Sequence, residues 1–244
     1  PVEDVKLWRY RGHAPIWPMD VGPDGSLYVL DKGIRVQRIK NGLVTTIAGA
    51  QDVPDGDLRC AAPIVDGENA VGRHLCPASA LAVDAQGSVY LAEAHIAQRV
   101  TRVSADGKLY RVLGTGMDGF SADGSLAAVS PIGRPHGVDV DADGRVYVVE
   151  CSSTGAGRVR MVGPDGVLVT VAGNGQPLPF DQFAPPGPTD ALSLPWECNG
   201  EVAADPEGGF WTVGTCQVRH VDRNGVHTLA LRPAGCSNDS TDHI

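Results

Sequence analysis

The sequence predicts an all-β fold, a β-propeller of four-stranded antiparallel blades with four blades in the chain. Three observations carry this. Four segments of the 244 residues align on a shared glycine. Each is followed, in register, by two more alternating strands joined by a turn that ends in Asx-Gly. No segment sustains the 3.6-residue apolar period of an amphipathic helix.

The aligned segments are "MDVGPDGSLYVLD", "LAVDAQGSVYLAE", "VDVDADGRVYVVE" and "VAADPEGGFWTVG". They have Gly25, Gly87, Gly144 and Gly208 in common, nearly evenly spaced along the chain. Each segment is a pair of short strands, a and b, around an acidic-Gly turn. Strand c follows as "RVQRI", "RVTRV", "RVRMV" and "QVRHV". Asn41-Gly42, Asp106-Gly107, Asp165-Gly166 and Asn224-Gly225 then turn the chain into strand d, "LVTTIAG", "KLYRVLG", "VLVTVAG" and "VHTLALR". Asx-Gly between alternating apolar runs is a strong hairpin signal. Four antiparallel strands repeated head to tail describe propeller blades, and one blade alone leaves both faces wet, so neighbours must stack. The blades are expected at about 15–50, 77–115, 131–174 and 195–232, in a single domain spanning 1–244. Residues 1–14 contain "DVKLWRYRG", which reads as an extra strand d; it either closes the ring against blade 4 or ends a blade that a shortened chain lacks. The sequence opens on Pro1 without a visible leader, so a processed or shortened chain is expected.

The run from Val112 to Glu150, "VLGTGMDGFSADGSLAAVSPIGRPHGVDVDADGRVYVVE", resembles an NHL repeat with its inter-blade linker. The resemblance covers all four units and is weakest in the fourth, where Gly214 replaces the acid that ends strand b. It implies a propeller, and by itself no activity. Two features depart from the family. NHL propellers usually carry about six blades, and the repeat here is longer than the roughly 40–50 residues of such blades. The surplus lies between strand d and the next strand a, in loops long enough to carry function.

Strand order decides where the loops point. In such a blade the d–a and b–c connections share one face, and the a–b and c–d turns share the other. All six cysteines, Cys60, Cys76, Cys151, Cys198, Cys216 and Cys236, map to the first face. An even count without CxxC spacing points to disulfides and export. The expected pairs are Cys60–Cys76, Cys151–Cys198 and Cys216–Cys236, among the 15 pairings that six cysteines allow. The loop face also collects the candidate ligand-binding residues Trp17, His74, His95, His136, Trp196 and Glu197.

A metal centre is the alternative, built from His136, His95, Glu93 and Glu150. The "PHG" at the start of a strand a resembles zinc-ligand positions of peptidylamidoglycolate lyase-type propellers, although only one blade carries such a histidine. The competing explanation of the strand-b acids is structural. Asp31, Glu93 and Glu150 recur with the repeat, and Arg35, Arg99 and Arg158 open the strand that follows, so carboxylate–guanidinium pairs are expected. The stretch from Asp139 to Glu150 also satisfies the D-x-D-x-D-G-x5-E pattern of an EF-hand calcium loop. Prolines and glycines precede it where an entering helix belongs, and "VYVVE" alternates like a strand. Glu150 then lies about 20 Å from Gly144, too far to share one ion with Asp139.

Composition narrows the function. A net charge of −9 with scattered basic residues disfavours nucleic acid. No 20-residue apolar run spans a membrane. There is no G-x-S-x-G, and "GTGMDG" is followed by no helix to bind phosphate. The expectation is a secreted recognition module, without cofactor, that binds a protein, peptide or glycan on its disulfide-braced loop face. The alternative is a metal-dependent lyase or hydrolase around His136.

Overall fold

The computed structural model describes residues 18–50, 63–94, 96–178, 185, 187–198, 200–214 and 217–231, with backbone alone for 228–231. It is almost entirely β and forms a four-bladed propeller. Blade 1 comprises β1 (Met19–Val21), β2 (Leu27–Asp31), β3 (Arg35–Lys40) and β4 (Leu43–Ala48). Blade 2 comprises β5 (Ala80–Val83), β6 (Val89–Glu93), β7 (Arg99–Val103) and β8 (Leu109–Leu113). Blade 3 comprises β9 (Arg134–Val140), β10 (Val146–Cys151), β11 (Gly157–Val162) and β12 (Leu168–Ala172). Blade 4 adds β13 (Thr189–Asp190) ahead of β14 (Glu201–Ala204), β15 (Gly209–Val213), β16 (Val218–Asp222) and β17 (Val226–Leu231).

Pairing is antiparallel between chain neighbours throughout, in the order a-b-c-d. The Asn41-Gly42 turn has positive φ at both residues, 50° and 75°, which matches the twist of the strands it joins. In every blade the c–d register shifts by one residue at the same place: Val36/Gln37, Val100/Thr101, Val159/Arg160 and Val218/Arg219. The shift explains the glycine that closes the strand-d motif in the first three blades. Gly114 has φ +94°, and a Cβ there would run into the carbonyl of Gln98 and the backbone of Arg99.

The fourth sheet has five strands, where four are expected from sequence. The added strand, β13, comes from the linker and pairs with the outer strand β17. The other two described linkers do the same with a single bridge each, Asn69 to Lys108 and Leu126 to Val167. Asn69, Leu126 and Asp190 each stand the same distance ahead of the matching strand-a residue, Leu81, Val138 or Val202. Each is followed by a fully buried alanine, Ala70, Ala127 or Ala191. The surplus between blades is therefore partly structural, because it covers the free edge of the next blade's outer strand.

The core lies between blades. One buried cluster joins blades 1 and 2, a second joins 2 and 3, and a third joins 3 and 4. Backbone stitches reinforce these seams. Asp20 Oδ2 accepts from Val83 N at 2.7 Å, and Asp139 Oδ2 accepts from Ala204 N at 2.6 Å. Inner strands pack β1 on β5, β5 on β9 and β9 on β14. No comparable packing of β14 on β1 is present among the described residues. Residues 1–14, where an extra strand is expected, lie outside the described residues.

The EF-hand letters resolve into blade geometry. Asp139 is committed to blade 4. Asp141 caps its own turn, with Oδ1 accepting from Asp143 N at 3.0 Å and Arg145 N at 2.9 Å, while its Oδ2 takes the Tyr147 hydroxyl at 3.3 Å. Blade 2 repeats this with Asp84, Gln86, Ser88 and Tyr90. Glu150 sits at the far end of β10, opposite Pro135 rather than the turn.

The glycine argument is testable by urea unfolding. Gly107→Ala, at φ +79° with open space around it, is expected to cost about 1–2 kcal/mol from the left-handed backbone alone. Gly114→Ala must also displace the neighbouring chain and is expected to cost roughly 3 kcal/mol or more.

Candidate functional site

Under the loop face the first three blades each hold a buried carboxylate at the end of strand b. In blade 1, Arg35 Nε donates to Asp31 Oδ2 at 2.9 Å. In blade 2, Glu93 is completely buried and pairs with Arg99. It also accepts from the Thr101 hydroxyl at 2.8 Å and from Cys76 N at 3.1 Å. In blade 3 the partner is Arg160, whose Nη1 donates to Glu150 Oε1 at 3.0 Å with both side chains buried. Arg158, expected from sequence to make this pair, stacks over Phe120 at 4.2 Å instead. Positions 158 and 160 lie on the same side of β11, and the second reaches the acid.

Blade 4 lacks the strand-b acid. The carboxylate of Glu197, from the linker, occupies the space that a side chain on Gly214 would need. Gln217 Nε2 donates to Glu197 Oε1 at 3.2 Å. Position 214 can be glycine because another residue delivers the acid from outside the repeat.

Next to it, Arg219 stacks over the Trp196 ring at 4.4 Å, and its Nη1 donates to Pro195 O at 3.0 Å. Burial lowers the Arg219 pKa to about 10. His227 meets the edge of Trp196 with ring centroids 5.9 Å apart. Burial, then the charge of Arg219, pushes the His227 imidazole down to about 4. In blade 3, burial raises the Glu150 carboxyl above its usual range against the pull of Arg160. A cleft of about 210 Å³ opens between Trp196, Glu197, Gly200, Thr212, Gly214, Gln217 and Arg219.

Of the six sequence-predicted ligand residues the structure describes four, and of these Trp196 and Glu197 line the same cleft. Trp196 is 2% exposed and belongs to the core between blades 3 and 4, which corrects its placement on an open loop face; only part of it floors the cleft. Glu197 is engaged as the substitute acid. His74 is exposed on the linker between blades 1 and 2. His136 is half-buried at the start of β9, and its carbonyl accepts from Ser79 Oγ at 2.8 Å across the seam. Trp17 and His95 lie outside the described residues. Of the proposed metal set, Glu93 and Glu150 are held by arginines in different blades. The described residues contain no group of three or more His, Cys, Asp or Glu side chains placed to share an ion.

Cys151 and Cys198 form a disulfide, which ties the end of β10 to the linker entering blade 4. It closes a separation of 47 residues, for which chain entropy suggests about 4 kcal/mol of stabilisation. Cys76 is also disulfide-bonded. Cys60, Cys216 and Cys236, expected in the other two pairs, lie outside the described residues. The edge strands of the linkers escaped the sequence reading, and the alanine that recurs at a fixed offset before the strand-a position was the signal that could have found them.

No family model matches the sequence. Human Teneurin-1 and human Teneurin-4 are each 30% identical to it over 165 residues, covering 60% of this chain. The chain spans about 6% of the length of these curated relatives. Among solved structures, a Bacteroides thetaiotaomicron protein of unknown function aligns with a TM-score of 0.53 at 19% identity, over 84% of this chain and 44% of the other. An auxiliary nutrient binding protein from the same organism aligns with a TM-score of 0.53 at 11% identity, over 91% and 48%. At such identities the likeness speaks for the fold.

Two outcomes test this arrangement. Glu93→Gln leaves Arg99 buried beside a neutral partner and is expected to lower unfolding free energy by roughly 3 kcal/mol; Asp31→Asn, whose Arg35 partner is partly exposed, is expected to cost less. His227 has a folded-state pKa of about 4 against 6.5 ordinarily, so the folded state resists protonation. Its contribution is complete above pH 6.5 and is lost as pH falls toward 4, by about 3 kcal/mol. Denaturant melts across that range should show this slope, and His227→Leu should flatten it.

Proposed function

We propose that this propeller is an extracellular recognition module of the NHL type, and that its loop face binds a protein, peptide or glycan. The observation that carries the reading is the Cys151–Cys198 disulfide, which braces two loops of that face against each other and suits an oxidising compartment. The similarity to a stretch of the teneurins supports the same assignment. The carboxylates beneath the face support binding over catalysis. Asp31, Glu93 and Glu150 are each neutralised by an arginine, which suits a rigid floor better than acid–base chemistry. The small cleft in blade 4 favours a ligand that lies across loops over one that enters a deep pocket.

The test is binding of the purified chain to a glycan array and to intact cells. Substitutions at His74 and His136, or mild reduction of the disulfides, are expected to weaken binding tenfold or more. Changes at the opposite turns, such as Asp106→Ala and Lys108→Ala, are expected to leave it unchanged. Binding that tracks the turn face would overturn the proposal. A stoichiometric divalent ion lost on His136→Ala would instead favour the lyase or hydrolase reading.

A further inference from the structure

Every packed seam in the molecule joins the same two surfaces. The leading face of a blade presents an aromatic residue from strand b and an aliphatic residue two positions later: Tyr28 with Leu30, Tyr90 with Ala92, Tyr147 with Val149. The trailing face of the next blade receives them with Leu81, Val138 or Val202 from strand a.

One leading face and one trailing face have no such mate among the described residues. In blade 4, Trp211 and Val213 hold the aromatic and aliphatic positions and are 37% and 52% exposed, against 3% and 0% for Tyr147 and Val149. In blade 1, Met19 and Val21 are 57% and 63% exposed, while Val138, at the position of Met19, is 3% exposed. The indole is also held ready. Trp211 stacks on His220 at 4.2 Å, and His220 Nε2 is bound to Asp205 Oδ2 at 2.7 Å. A side chain fixed in advance loses little freedom on association.

We propose that a second copy of this chain seats its blade 1 on blade 4 of the first, so that Trp211 and Val213 of one copy pack against Met19 and Val21 of the other. The inference rests on continuity with interfaces the molecule already builds. The unmatched surfaces are the two halves of a seam formed three times within the chain, and a second copy supplies both. Among the described residues, β14 and β1 do not pack as β9 and β14 do. The contact is heterologous, so two copies with both seams formed close into a ring.

Sedimentation velocity over a concentration series tests this. The wild-type chain is expected to shift from 25.5 kDa to at least twice that mass. Trp211→Glu and Met19→Glu should each stay monomeric at concentrations where the wild type associates, with unchanged circular dichroism. If either fails to fold, Val213→Lys and Val21→Lys take their place. Mixing the two variants should restore association, because one keeps an intact trailing face and the other an intact leading face. A wild type that stays at the mass of one chain overturns the proposal, as does association that survives both substitutions. For a monomer, hydroxyl-radical labelling then separates the remaining occupants. Protection of Met19 and Trp211 means that blade 4 closes on its own blade 1, and labelling means a face reserved for a different partner.

Discussion

The seam between blades is the contact on which the rest depends. A single antiparallel sheet cannot shelter both of its faces, yet β6 and β10 are buried along their whole length. Both faces stay dry because alternate residues serve opposite seams, with Tyr90 and Ala92 directed to blade 3 while Val89 and Leu91 are directed to blade 1. At roughly 1.5–3 kcal/mol per fully buried large apolar side chain, these clusters outweigh any surface ion pair in the chain. Polar stitches such as Asp20 to Val83 and Ser79 to His136 run along the same seams and set their register.

The buried carboxylates follow from that packing. Once strand b is enclosed by neighbours on both sides, an acid at its end must find a positive partner or leave a costly unpaired charge. Three blades solve this within the repeat. Blade 4 solves it with a residue from the preceding linker, and the linker is drawn inward with Trp196 and Glu197. The same linker is fastened by the disulfide at Cys198 and by β13 along the outer edge. A segment with the composition of a loop thus becomes part of the scaffold, and less of the loop face is free for a ligand than its length suggests.

Much of this was legible in the residues. The strand–turn–strand repeat and the Asx-Gly hairpins follow from local rules of chain reversal, and the shared loop face made Cys151–Cys198 one of the expected pairs among 15 possible arrangements. The choice of Arg160 over Arg158 was not legible, since both point to one side of β11 and the strand register sets Arg158, not Arg160, opposite Glu150. The burial of Trp196 was hidden for a similar reason. It sits in a linker between Pro195 and Glu197, and the residues that enclose it come from blades 3 and 4.

The sequence by itself determined the four repeated strands of each blade, their turns and their order, because these depend on alternation and on glycines at fixed offsets within short stretches of chain. It also determined that Asp139 to Glu150 is a strand pair rather than an ion-binding loop, since a β-strand carries its two ends too far apart. The tertiary structure alone decided which face each linker covers, which arginine meets which acid, and which blade faces stay open. Those are contacts between residues far apart in the chain, set by where whole blades come to rest.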